Sequence, residues 1–124
     1  MSNSFINKKV DLTTTNVTTL YTVPSATTAI IKSILASNDT ASGGGLDAPV
    51  QLTITITNSS GAVFSIAFQK LIQGATGSSG DPVEILSRTL VAETGDIIKV
   101  TASVANKIHV ILSAMEVLPR TVTT

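Results

Sequence analysis

Residues 50–68, VQLTITITNSSGAVFSIAF, restrict the possible folds of this chain more than any other stretch. Apolar side chains occupy every second position from 52 to 56 and threonines occupy the positions between them, which is the period of a strand with one buried face. Phe64, Ile66 and Phe68 repeat the alternation, and the NSSG sequence between the two runs is typical of a tight turn. The stretch predicts an antiparallel hairpin whose apolar residues, both phenylalanines included, face a core.

Similar strand signals recur along the chain. TLYTV before Pro24 is a short strand, and strands are expected within residues 82–92, 97–104 and 108–118, with the turns ETGD and ANK between them. The last of these strands is apolar on both faces, which suggests a central strand covered on both sides, either within the domain or by a neighbouring subunit. Residues 27–37 fit a strand or a short helix, and their adjacent β-branched residues favour the strand.

Seven or eight short strands separated by turns predict an all-β fold, a single antiparallel β-sandwich or jelly-roll-like domain. The expected organisation is an N-terminal arm and first strand over residues 1–18, the sandwich over 19–118 and a C-terminal tail over 119–124. The terminal sequences SNSFINKK and PRTVTT are expected to lie outside the regular strands as arms. Two loops rich in Gly, Ser and Asp, residues 38–49 and 72–82, interrupt the strand pattern.

The composition excludes several classes of function. Only 13% of the 124 residues are charged, against about 25% in a typical soluble domain, and the formal net charge is zero. A neutral surface of this kind does not attract nucleic acid or an anionic membrane. The absence of cysteine excludes disulfides, thiolate catalysis and Cys-ligated zinc. The longest apolar segment, AIIKSILA, is short and contains Lys32, so no membrane span is expected.

The residues that could carry chemistry are few and scattered. His109, the sole histidine, lies within an apolar strand, and the spacing assigns it neither a nucleophile nor an orienting carboxylate. A loop calcium site through Asp39 and Asp47, or through Asp81, is conceivable, but the spaced acidic repeat of a calcium loop is missing. The glycines of GATGSSGDP lack the Lys-Ser/Thr ending of a phosphate-binding loop. The sequence therefore predicts no enzyme, no metal and no cofactor.

Three stretches together carry a family resemblance: TLYTVPSATTAIIKSILASN, VQLTITITNSSGAVFSIAF and LVAETGDIIKVTASVANKIHVILSAMEV. Their combination resembles a pattern in small β-sandwich virion proteins of tailed bacteriophages, over about residues 19 to 117. The resemblance brings no catalytic motif with it. What it implies is a virion structural protein, assembled in the host cytoplasm and present in many copies.

The position in the particle implied by the resemblance is a capsid decoration (cement) protein that stabilises the head across capsid subunit junctions. Its partner would be the major capsid protein, and a homo-oligomer, with a trimer favoured, would be expected. The alternatives are a neck, tail or fibre component, whose partners would be neck or tail proteins, and a carbohydrate-binding sandwich. The candidate interface residues are Phe5 and Ile6 in the N-terminal arm and Pro119 and Arg120 in the C-terminal tail.

Overall fold

The computed structural model describes residues 3–38, 50–72, 83–86 and 88–118. These residues form nine β-strands and no helix. In chain order the strands are β1 (Asn3–Asp11), β2 (Thr18–Thr22), β3 (Thr28–Asn38), β4 (Val50–Thr57), β5 (Val63–Ile72), β6 (Val83–Leu86), β7 (Leu90–Ala92), β8 (Ile97–Ala102) and β9 (Ile108–Val117). The all-β prediction is confirmed, and residues 28–38 form a strand rather than a helix.

The strands form two antiparallel sheets. In sheet A the order is β1-β9-β3-β6, and β7 pairs with β3 beside β6. In sheet B the order is β2-β8-β4-β5. Since β6 and β7 occupy one position along the same edge of β3, the sandwich has eight strand positions. Their order and the alternation of the chain between the sheets are those of a jelly roll, as the sequence predicts.

A β-bulge explains why the sequence of β3 resembles a helix. The pairing of β3 with β9 shifts register between Ile31 and Ser33, so Lys32 is an extra residue in the ladder. Because of this extra residue, Ile31 and Ile34 both face the core and are fully buried, although they are three positions apart. A three-residue spacing of buried side chains is the mark of a helix in a regular chain, and here the bulge produces it in a strand.

The core lies between the sheets and is aliphatic. Its largest fully buried side chains on the four inner strands are Ile31, Ile34, Val50, Leu52, Ile54, Ile98, Val100, Ile108 and Leu112. Two hydrogen bonds connect the sheets through otherwise costly buried polar groups. The Tyr21 hydroxyl of sheet B donates to Glu116 Oε2 of sheet A at 2.6 Å, and Asn38 Nδ2 of sheet A donates to the Ile72 carbonyl of sheet B at 3.0 Å.

The predicted turns are present and have the expected chemistry. In the β4–β5 hairpin, Asn58 Oδ1 accepts hydrogen bonds from the backbone N–H groups of Ser60 and Ala62, and Gly61 adopts a φ of +92°. In the turn before β8, the backbone N–H of Asp96 donates to the Glu93 carbonyl. Asn and Gly are therefore placed where the local backbone requires them.

Two expectations from the sequence are wrong. Residues 3–9 are not part of an arm, because β1 pairs with β9 along its whole length without a register shift and forms one edge strand of sheet A. Phe64 and Phe68 do not face the core: their side chains are 57% and 70% exposed. The two side chains are exposed for different reasons. Phe64 is the cross-strand partner of Ile56 on β5, an edge strand of sheet B. Ile66 is an extra residue in the β4–β5 ladder, so Ala67 becomes the partner of buried Ile54 and Phe68 takes the opposite face.

Candidate interaction surface

The outer face of sheet A carries an apolar row that runs across four strands. Cross-strand pairing places Phe5 of β1 beside Met115 of β9, Met115 beside Ile30 of β3, and Ile30 beside Val91 of β7. Phe5 is 82% exposed and Val91 is 58% exposed, at the two ends of the row. We call these four residues the apolar row. The alternation of β9 thus leaves an apolar outward face that the described residues do not cover.

A second, parallel row crosses β9 four residues before Met115. It consists of Lys9 of β1, Ile111 of β9, Leu35 of β3 and Glu84 of β6. Its centre is aliphatic and its ends carry opposite charges. We call these four residues the charged-end row. Between the two rows, Asn7 Nδ2 donates a hydrogen bond to Ser113 Oγ at 3.3 Å, which confirms that both strands direct these alternate side chains to the same face.

The outer face of sheet B has a different chemistry. The outward positions of β4 that reach solvent are Gln51, Thr53 and Thr55, and Thr53 and Thr55 lie beside Thr101 and Lys99 of β8. Hydroxyl groups can be hydrated without a partner protein, whereas exposed apolar side chains gain free energy when they are covered. The two broad faces of the sandwich are therefore unequal, and sheet A has the face suited to a protein contact.

The second apolar surface lies on the edge strand β5. Val63, Phe64, Phe68 and Leu71 are all more than half exposed, and we call them the β5 cluster. The strand carries one charged residue, Lys70. Gln69 adopts a φ of +51° at an interruption of the β4–β5 pairing, and its backbone N–H donates to Thr53 Oγ1. A bulged edge is protected against backbone pairing, so this cluster is suited to contacts through side chains.

The candidate interface residues predicted from the sequence differ in how the structure places them. Phe5 projects outward, whereas Ile6 is half-buried and packs against the core from the inner side of β1. Pro119 and Arg120 lie outside the described residues. Of the predicted set, Phe5 is the residue whose position suits an intermolecular contact. Val91, Met115 and the β5 cluster were missed, because the sequence does not show which apolar strand residues lack a facing strand.

The structure also brings Asp11 to the sole histidine. Asp11 Oδ1 lies 3.4 Å from His109 Nε2, and both side chains are largely exposed beside an open depression of about 290 Å³. Ser37 of β3 is the cross-strand neighbour of His109 on its other side, but no hydrogen bond joins the two side chains. Asp11, His109 and Ser37 are the residue types of a catalytic triad, but the contact between nucleophile and base that such a triad requires is missing from this set.

Within the ranges that the structure describes, no group of three or more His, Asp or Glu residues could hold a metal ion. The loop aspartates considered for calcium, Asp39, Asp47 and Asp81, lie outside those ranges. Among the same described residues, no helix is long and apolar enough to cross a membrane.

Comparison with known proteins gives a limited result. No protein-family model matches the sequence, and no curated protein is significantly similar to it. Two crystal structures of a pentameric capsid protein isolated from metagenomic phage sequences are similar to the chain, each with 21% identity and a TM-score of 0.43. The matches cover 90% of this chain, which spans 59% and 60% of the two capsid chains. A similarity at this level does not assign a function to the chain.

Proposed function

We propose that the chain is a non-enzymatic structural protein of a tailed-phage virion, and specifically a capsid decoration protein that stabilises the head across capsid subunit junctions. The observation that carries the proposal is the uncovered apolar face of sheet A, centred on Met115 and Ile111. The sequence resemblance to small virion proteins supports the same role. A jelly roll is a fold used by viral capsid proteins and by lectins, so the fold is compatible with the proposal without deciding it.

The physical basis of the proposal is the contrast between the two faces of the sandwich. Burial of an exposed apolar side chain stabilises a contact by about 1.5–3 kcal/mol, depending on how much of it was exposed. A stable interface requires about 1,200 Å² of total buried surface, which the apolar row and the charged-end row could supply together with their neighbours on sheet A. The threonine-rich face of sheet B would then remain in contact with solvent.

The copy number per particle tests the role in the virion. Quantitative mass spectrometry of purified virions would compare this chain with the major capsid protein. We expect a ratio near one copy per capsid subunit. A few copies per particle would instead support a neck, tail or fibre component, and absence from the particle would exclude the virion role.

A substitution on the proposed face tests how the chain binds the shell. We expect Ile111→Glu to lower occupancy on purified shells at least tenfold, because a carboxylate would be buried against apolar surface. The matched control is Thr55→Glu, which adds the same charge to the outer face of sheet B and should leave occupancy unchanged. Equal binding by both variants, with unchanged melting temperatures, would show that sheet A is not the contact face.

A carbohydrate-binding sandwich is the second candidate, and one observation favours it. A polar depression of about 240 Å³ on sheet B is lined in part by Thr53, Gln69 and Thr101. The chain has no tryptophan, however, and its only tyrosine is buried, so the usual aromatic platform for a sugar ring is missing. Glycan-array binding that is abolished by Gln69→Ala would support this candidate; an array without hits would count against it.

A further inference from the structure

The sandwich has two lateral sides that carry different apolar groups. β1 contacts β2 across the sandwich, and β5 contacts β6, so β1 and β2 form one side and β5, β6 and β7 form the opposite side. We call them the β1 side and the β5 side. Phe5 lies on the β1 side, and Phe64 and Phe68 lie on the β5 side. All three phenylalanines of the chain are therefore exposed, and they occupy opposite sides of one molecule.

The rows on sheet A give these two sides matching ends. The apolar row begins with Phe5 on the β1 side and ends with Val91 on the β5 side. The charged-end row begins with Lys9 on the β1 side and ends with Glu84 on the β5 side. Phe5 and Lys9 are four residues apart on a regular strand, which is about 13 Å. Their partners on β9, Met115 and Ile111, are also four residues apart. The pairings through β3 carry this separation to Val91 and Glu84.

From these matching ends we infer that copies of the chain associate side by side, with the β1 side of one copy against the β5 side of the next. A rotation about an axis parallel to the strands keeps each row at its own height. It therefore brings Phe5 next to Val91 of the next copy and Lys9 next to Glu84 of the next copy. The β5 cluster lies on the same side and adds Phe64 and Phe68 to the contact.

The strand directions agree with this arrangement. Three successive antiparallel pairings separate β1 from β6 and from β7, so β1 runs antiparallel to both. Across the contact, β1 would lie beside β6 and β7 of the next copy in the antiparallel sense that sheet A uses throughout. A head-to-tail contact of this kind closes into a ring when the rotation divides a full turn evenly.

A two-fold contact would use these surfaces less completely. Pairing the β1 side with itself would leave Glu84 and the β5 cluster of every copy exposed. Covering both sides by two-fold contacts would require two different interfaces, each self-complementary. One head-to-tail contact covers both sides of every copy. The inference concerns the chain alone and does not depend on the proposed virion role.

A charge-exchange experiment tests the predicted register. The purified full chain would be examined by size-exclusion chromatography with light scattering, as the wild type, Lys9→Glu, Glu84→Lys and the double variant. We expect a closed oligomer for the wild type and at least tenfold weaker association for each single variant. The double variant should recover association, because the two exchanged side chains again place opposite charges across the contact.

The matched control carries the same charge change away from the two sides. Lys99→Glu lies on β8 on the outer face of sheet B and should associate as the wild type does. A wild-type chain that stays monomeric at its highest soluble concentration would contradict the inference. So would a double variant that associates no better than the single variants.

A mixing experiment distinguishes head-to-tail from two-fold association. Phe5→Glu disables the β1 side, and Val91→Glu disables the β5 side, so each variant alone should be monomeric. Their equimolar mixture should form a dimer, because one pair of intact sides remains. Dimers formed by either variant alone, or no dimer in the mixture, would overturn the head-to-tail contact. Val104→Glu, which alters an exposed apolar residue in the β8–β9 turn, is the control for folding and should retain the ring.

Discussion

At the scale of single residues, Tyr21 and Glu116 form the most informative polar contact. Tyr21 is the only tyrosine of a chain without tryptophan, so its ionisation can be followed without interference. Burial, followed by the hydrogen bond to Glu116 and the charge of that carboxylate, raises the pKa of Tyr21 well above its usual range. The phenol is thereby kept protonated as the donor of the bond that joins the two sheets.

The raised pKa of Tyr21 predicts a loss of stability at alkaline pH. The unfolded state releases this proton above about pH 10 while the folded state retains it, so the contribution is complete below that pH and declines above it. We expect the free energy of unfolding to fall more steeply above pH 10 in the wild type than in Tyr21→Phe. Tyrosinate absorbance should appear only as the protein unfolds. Reversible ionisation of the folded protein at about pH 10 would contradict this account.

The loss of the hydrogen bond gives a separate prediction at neutral pH. Tyr21→Phe retains the buried ring but leaves Glu116 Oε2 without its donor at 2.6 Å. We expect the variant to lose about 2 kcal/mol of unfolding free energy in urea titrations, since the acceptor carries a charge. A loss below the error of the titration would show that water replaces the donor.

Thr57 is the opposite case, because removal of its buried hydroxyl should stabilise the folded protein. The side chain is buried, and Thr57 Oγ1 has no hydrogen-bond partner among the residues that the structure describes. Thr57→Val keeps the β-branched shape and removes the hydroxyl, and we expect a gain of about 1 kcal/mol in unfolding free energy. Thr55→Val, on the same face of β4 but less buried, is the control and should change stability little.

At the scale of elements, bulges decide which residues of a strand face the core. Leu20 and Tyr21 are adjacent and both buried, because the β2–β8 pairing shifts register between Thr19 and Tyr21. Ile31 and Ile34 are both buried for the same reason in β3. A strict two-residue period would direct one member of each pair outward. Such departures cannot be read from the local sequence, because a bulge is defined by the partner strand.

Two turn glycines allow the cost of backbone strain to be separated from the cost of crowding. Gly61 and Gly95 have similar positive φ values, +92° and +88°. A Cβ on Gly61 would meet nothing within 4 Å, whereas a Cβ on Gly95 would lie 3.2 Å from Ser59 Cβ. We expect Gly61→Ala to lower the free energy of unfolding by about 1 kcal/mol through φ alone. Gly95→Ala should cost more. Equal losses in thermal unfolding would show that the Ser59 turn moves aside without cost.

At the scale of the whole molecule, the N-terminal strand β1 completes sheet A by pairing with β9, which lies near the C-terminal end of the chain. β1 pairs with β9, so Asn7 bonds to Ser113 across 106 residues of sequence. Ile6 and Val10 pack against the core from this strand. The N-terminal segment is thus part of the fold, and its outward side chains are available for contacts.

This arrangement predicts different outcomes for truncation and for a point substitution. Deletion of residues 1–9 should lower the melting temperature strongly and promote aggregation, because it exposes the backbone edge of β9 and part of the core. Phe5→Ser should leave the melting temperature of the dissociated chain unchanged, since the side chain is mostly exposed. A truncated chain as stable as the full chain would show that β1 contributes no net stability.

The sequence by itself determined the local structure of this protein. The two-residue alternation in residues 52–56, the NSSG and ETGD turns and the β-branched residues of β3 specify strands and turns through interactions between near neighbours in the chain. From these the all-β class and the jelly-roll-like sandwich could be predicted.

Only the tertiary structure decided which apolar residues are covered. Phe64 and Phe68 have the same alternation as Leu52 and Ile54, yet they are exposed, because β5 lies at an edge and is bulged. The apolar row and the charged-end row, and the contact of Asp11 with His109, arise from pairings between strands far apart in sequence. Burial depends on what lies opposite a residue in space, and the periodicity of one strand carries no information about its distant neighbours.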